Sequence, residues 1–142
     1  MPLQTLMLSF GTLLGSPHLS ATARAQFDIA RKNRMRVGIS AISIVEIIYL
    51  IEKGRIRSEA LSLLKKKLGQ KKRVLEIIPM TYEIAQEVQN VPYDQVPDFP
   101  DRIIAATASY HTVPLISRDR DIQTSSVEDN MVKRKNLNHA IY

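Results

Sequence analysis

The sequence predicts an α/β protein with a three-layer α/β/α fold on a mainly parallel central sheet, and three observations carry that expectation. Short apolar runs rich in β-branched residues, at 36–40, 74–78 and 113–117, alternate with longer segments of helical periodicity. Stop and turn residues separate them, at Gly54, at Gly69 and through the stretch 92–100 with its three prolines. A chain of 142 residues, 44% hydrophobic and 24% charged, has the size and balance of one domain with a buried core.

The elements follow in order. Ser20 can cap a helix through Ala21, Ala23, Ala25, Phe27, Ile29 and Ala30, closed by the basic run from Arg31 to Arg34. Residues 36–40, with Val37 and Ile39, read as a strand. Ser43 is expected to open an apolar helix over 44–52, stopped by Gly54. A helix with a basic face is expected over 58–68, ending at Gly69, and a buried strand over 74–78. Thr81 begins a helix through Ile84, Ala85 and Val88, and another, rich in Ile and Ala, spans about 100–110. A strand at 113–117 and a last short one at 125–128 complete a domain over 1–128, followed by a basic tail at 129–142.

Composition narrows the function classes. The absence of cysteine excludes disulfides, thiolate metal sites and a cysteine nucleophile, and fits a reducing cytoplasm. His18, His111 and His139 lack zinc-ligand spacing. A net charge of +6 and a pI near 9.7 favour polyanions or a partner with an acidic segment. The cations cluster at Arg31, Lys32, Arg34 and Arg36, at Lys65 to Lys67 with Lys71 to Arg73, and at Lys133 to Lys135. Each cluster also reads as a solvated face, and no interleaved aromatics form a stacking platform for bases. The mildly apolar stretch 6–14 lacks the basic flank of a secretory leader, and the apolar run 41–51 contains Glu46 and is too short to span a bilayer. No membrane role is expected.

Acidic residues fall where a parallel sheet presents ligands, outside the carboxyl ends of its strands. Glu46 is expected in the first turn of the helix after strand 36–40, Asp101 in the first turn of the helix at 100–110, and Asp119 just past strand 113–117. Carboxylates converging on one edge need a cation between them, or one has its pKa raised. Hard oxygen donors select Mg²⁺ or Mn²⁺, and such a site supports phosphodiester hydrolysis. Each residue has a plainer reading too. Ser43-Ile44-Val45-Glu46 matches a capping box, Asp101 favours the positive end of a helix, and Asp119 suits a turn. Spacing alone leaves both readings open.

The stretch Pro97-Asp98-Phe99-Pro100-Asp101-Arg102-Ile103-Ile104-Ala105-Ala106-Thr107-Ala108 closely resembles the helix motif of PIN-domain proteins, the fold of VapC-like toxin ribonucleases in type II toxin–antitoxin pairs. Val113 to Asp119 is similar to that family's next strand and its acidic end, and Ile39 to Ile47 to the segment holding its glutamate. Leu19 to Arg24 also has a counterpart, and the match covers most of residues 13–128. The resemblance implies an Mg²⁺- or Mn²⁺-dependent endoribonuclease, with Glu46, Asp101 and Asp119 as catalytic, metal-holding acids. It also implies a cognate antitoxin that blocks the site, an RNA substrate, a homodimer and a cytoplasmic location. Arg102 is expected to be structural or antitoxin-facing.

Two departures qualify the transfer. Family members open with a strand ending in Asp, and here that place aligns with Gln4 or Thr5, which makes the first strand look cut short. No carboxylate precedes Asp28. The basic tail extends past the usual end of the family. The leading reading is therefore a toxin-type ribonuclease with reduced or lost activity. The alternative is a catalytically inactive PIN-fold module that binds antitoxin or RNA, and a third is a generic basic nucleic-acid binder whose affinity falls with salt and ignores Mg²⁺.

Overall fold

Strands that carry apolar side chains on both faces need helices over both, and the computed structural model, which describes residues 5–8 and 21–116, meets that need. The elements are β1 (Thr5–Leu8), α1 (Ala21–Lys32), β2 (Arg36–Ser40), α2 (Ala41–Glu52), α3 (Glu59–Leu68), β3 (Leu75–Ile78), α4 (Tyr82–Glu87), a 3₁₀ turn (Val88–Asn90), α5 (Phe99–His111) and β4 (Leu115–Ile116). Among the described residues the sheet runs β3-β2-β1-β4, with every pair parallel. The three-layer α/β/α architecture expected from the sequence is the one observed.

Side-chain alternation along each strand feeds two cores. Leu8, Val37, Ile39 and Leu75 point to one face and pack with Phe27 and Ala30 of α1, Ile47 of α2 and Leu64 of α3. Met7 and Leu115 point to the other and pack with Ile104, Ala105, Ala106 and Ala108 of α5 and with Val91 and Val96. Gly38 lies on that second face, level with Met7 in β1. A Cβ on Gly38 would come within 2.8 Å of Met7 Sδ and 3.1 Å of Ile78 Cγ1. The missing side chain lets its neighbours close over β2.

Two boundaries differ from the sequence reading. β1 was expected to end near Gln4 or Thr5, but it runs from Thr5 to Leu8, with Thr5 opposite Arg36 at the amino end of β2. Thr5 therefore sits at the edge away from the strand ends where ligands bind, and its hydroxyl donates to Glu76 Oε1 at 3.5 Å. The second difference is the start of α2. Ser40 is the cap, its Oγ accepting from the Ile42 N–H at 3.4 Å, and the helix begins at Ala41. Ser43 is a buried residue inside it. β2 thus passes into α2 without a loop, and the Ser43–Glu46 capping box does not form. Elsewhere the expected elements appear within a residue or two, with Thr81 capping α4 through its hydroxyl. Ser20, Asp119, the strand expected at 125–128 and the tail 129–142 lie outside the described residues.

Gly38→Val places two further methyl groups against Met7 and Ile78, and overpacking of this kind costs about 1–3 kcal/mol. Urea unfolding should show a lower midpoint with an unchanged m-value.

Candidate functional site

Because all described strands are parallel, their carboxyl ends lie on one edge, where α2 leaves β2 directly from Ser40. That junction sets Glu46 in the middle of α2, not in its first turn as the sequence suggested. The first-turn position would have placed the carboxylate near the positive end of the helix; at mid-helix that benefit is gone. α2 packs against α5, whose start carries the other acids. Asp98 is the N-cap of α5, its Oδ1 accepting from the Asp101 N–H at 3.0 Å, and Pro100 occupies the first turn, where its missing N–H costs nothing. Asp101 lies in that first turn as expected and is half-buried.

Glu46 is in an unfavourable place for a charge. Its Oε1 is buried and has no hydrogen-bond partner among the described residues. Burial, and after it the negative charge of Asp98, raises its pKa from 4.5 to about 7. The structure therefore brings Glu46 close enough to Asp98 for the two to repel. Asp98 was read from the sequence only as a possible cap; the signal was the repeated aspartate in Asp98-Phe99-Pro100-Asp101. Among the described residues no group of three or more His, Asp or Glu is arranged around a common point for a metal ion. Asp119 falls outside that description. An orphaned, buried carboxylate oxygen within the field of a second carboxylate has the donor chemistry that suits a hard divalent cation.

The loop that delivers Asp98 is held by Arg102. Its Nη2 donates to the carbonyls of Val88 at 3.1 Å and Val91 at 3.0 Å, and the guanidinium lies 5.5 Å from the centroid of the Tyr93 ring. The structural role expected for Arg102 is thus seen directly. A second buried link joins α4 to α5, where Ser109 Oγ donates to Glu87 Oε1 at 2.7 Å and Asn90 Nδ2 to Glu87 Oε2 at 3.0 Å. Sequence reading did not single out Glu87; it fixes the helices and lies on their buried interface.

An α/β/α protein with acids gathered at the carboxyl edge of a parallel sheet is the class that fold and site define. The model of the PIN domain family matches residues 13–126, and the chain belongs to that family. No curated protein matches it. Among solved structures, it is similar to a chain of VapBC2 from Rickettsia felis bound to a DNA fragment from their promoter. The TM-score is 0.63 and the identity 19%, over 84% of this chain and 92% of that one. It is likewise similar to a chain of DNA-bound VapBC from Salmonella typhimurium, with a TM-score of 0.61 and 19% identity over 85% of this chain and 91% of that one. At these identities the likeness establishes the fold. No described helix is long and apolar enough to cross a membrane.

The raised pKa of Glu46 has a defined sign. The fold favours its neutral form, so this stabilising contribution is full below about pH 4.5 and is lost as pH rises through about 7. In chelator, thermal unfolding of the parent between pH 5 and 8.5 should show a Tm that falls relative to Glu46→Gln, with the variant the more stable at pH 8. Parallel pH profiles for the two proteins would remove Glu46 as the strained group.

Proposed function

We propose that the chain is a toxin-type ribonuclease of a toxin–antitoxin pair, hydrolysing RNA phosphodiester bonds with Mg²⁺ or Mn²⁺ and with activity reduced or lost. The observation that carries this reading is the orphaned Oε1 of Glu46 beside Asp98 at the ligand-binding edge of the sheet. Glu46, Asp101 and Asp119 are the acids proposed to hold the cation, as catalytic and metal-holding residues. A divalent ion held by these acids would supply activation of water and offset charge on the scissile phosphate. Burial and the charge of Asp98 raise the pKa of Glu46 in the cation-free chain, and a bound divalent cation would favour its carboxylate form. Asp98 stays engaged in capping α5 and sets the negative field at the entrance.

Reduced activity follows from the first strand. β1 ends at Leu8, and the sequence continues as Ser9-Phe10-Gly11-Thr12 without a carboxylate. That gap also favours the second reading, a catalytically inactive PIN module that binds antitoxin or RNA. The likeness to two VapBC assemblies supports a cognate antitoxin as partner in either case. So does the outer face of α2. Val45, Ile48 and Tyr49 are exposed there at helical spacing, beside an apolar groove of about 410 Å³ between α2 and α3 lined by Ile44, Leu61, Leu64 and Leu68. We assign the chain to the cytoplasm as a homodimer, with the domain at 1–128 and the basic tail at 129–142.

Cleavage of single-stranded RNA by the purified chain in Mn²⁺ or Mg²⁺, beside chelator, tests the enzyme reading. Metal-dependent cleavage should fall on the order of 100-fold or more in Asp101→Asn. A silent parent that gains activity in Ser9→Asp, which adds a carboxylate at the first sequence position after β1, would mark a disabled site. Silence in both, with antitoxin binding intact, would leave the binding module. Metal alone gives a second readout. At ten times its Kd, Mn²⁺ should stabilise the parent by about 1.4 kcal/mol at pH 8 and Glu46→Gln by less. On the partner face, Ile48→Asp should weaken antitoxin binding by about tenfold or more, roughly 1.4 kcal/mol, measured by titration calorimetry.

A further inference from the structure

Two segments distant in sequence, 31–36 and 70–74, meet at the amino ends of β2 and β3 and form a groove of about 590 Å³. Its rim carries Arg31, Arg34, Arg36, Lys72 and Arg73. Among the described residues only Arg36 has a carboxylate partner, its Nη1 lying 3.0 Å from Glu76 Oε2. The remaining cations face solvent from an otherwise uncompensated concavity, where low-dielectric walls concentrate a positive field. The five residues of β2 span about 16 Å at roughly 3.3 Å each. The groove therefore lies at the opposite end of the sheet from Glu46.

Arg34 supplies an independent observation. α1 ends in a two-bond cap, with the Met35 N–H donating to the Ala30 carbonyl at 2.7 Å and the Arg34 N–H to the Arg31 carbonyl at 3.3 Å. This cap requires a left-handed residue, and Arg34 takes it with φ 54°. α2 ends in the same way on Gly54, at φ 67°, and α5 on Thr112, at φ 54°. Arginine carries a backbone penalty that glycine avoids. Its guanidinium makes no hydrogen bond or ion pair with any described residue. Exposed on the rim of a cationic groove and without a described partner, this guanidinium is available to an external anion.

We propose that this groove binds the phosphate backbone of single-stranded RNA as a second contact remote from the acidic edge; the choice of RNA rests on the function proposed above. Guanidinium groups match phosphate oxygens with paired N–H donors. The apolar lining, Met35 and Val74, is half-buried against the core, and among the described residues no aromatic side chain lines the groove to anchor a peptide. Without stacking partners the contact reads the backbone and not the bases.

The test is fluorescence anisotropy of a labelled 12-nucleotide oligouridylate with the full chain in chelator, across a salt series. Working without metal separates binding from cleavage, so failure of the nuclease reading leaves this result intact. The slope of log K against log salt should flatten by roughly 0.7 for each cation removed, about 0.7 in Arg34→Gly and twice that in Lys72→Gln with Arg73→Gln. Arg34→Gly should also keep a Tm at or above the parent's, which excludes unfolding as the cause. Slopes equal to the parent's in both variants overturn the proposal. So does a labelled oligoglutamate that binds the parent as tightly as the RNA and loses affinity in the same variants, since the groove would then be an acidic-peptide site.

Discussion

Between β2 and β4 the four residues of β1 pair on both edges, and each of its last two side chains plugs a different core. Met7 and Leu8 are both completely buried, on opposite faces of the sheet. The Met7 N–H also donates to the Pro114 carbonyl at 2.8 Å, tying the strand to the turn that follows α5. β4 reaches the rest of the described sheet through this strand alone. The helices of both layers depend on it in turn, since α5 packs over Met7 and α1 to α3 pack over Leu8. A short strand suffices because every one of its neighbours is contributed by a distant part of the chain.

The parallel sheet also gives the molecule an electrical polarity. At its carboxyl edge the chain bends straight from Ser40 into α2 and lays α5 alongside, which gathers Glu46, Asp98 and Asp101 near one another's helices. Asp98 and Asp101 sit at the start of α5, where the helix dipole and free N–H groups favour negative charge. Glu46 has neither, and so it is the group that burial and repulsion drive toward neutrality. At the amino edge the opposite sign accumulates, from the end of α1 and the loop before β3. A net charge of +6 conceals this separation, because it sums over both ends.

The acidic edge is held by polar contacts that no period in the sequence reveals. Arg102 clamps two carbonyls of the 88–91 turn, and Glu87 joins that turn to Ser109 on α5. Together they hold both ends of the loop that carries Asp98.

Local pattern was enough for β2, α3, β3, α4 and α5, because apolar periodicity, Thr81 as a cap and Gly69 as a stop act within a turn or two of chain. The family motif at 97–108 was legible for the same reason, and the family match confirms it. Local pattern failed at the start of α2, which it placed at Ser43 and the structure places after Ser40. Ser43 matched a capping box, but the start was set by β2, which exits its pairing with β3 at Ser40 ↔ Ile78 and turns there. The position of β1 was likewise beyond reach, since Thr5 to Leu8 acquire their register only by pairing with Arg36 to Gly38 and with Leu115 and Ile116. The sequence by itself determined which residues are acidic, basic or apolar and which segments can be helix or strand. Tertiary structure alone decided that the charge of Asp98 reaches Glu46, that residues 31–36 and 70–74 share a groove, and that Arg34 stands where glycine fits, because proximity between distant segments is set by packing both faces of one sheet.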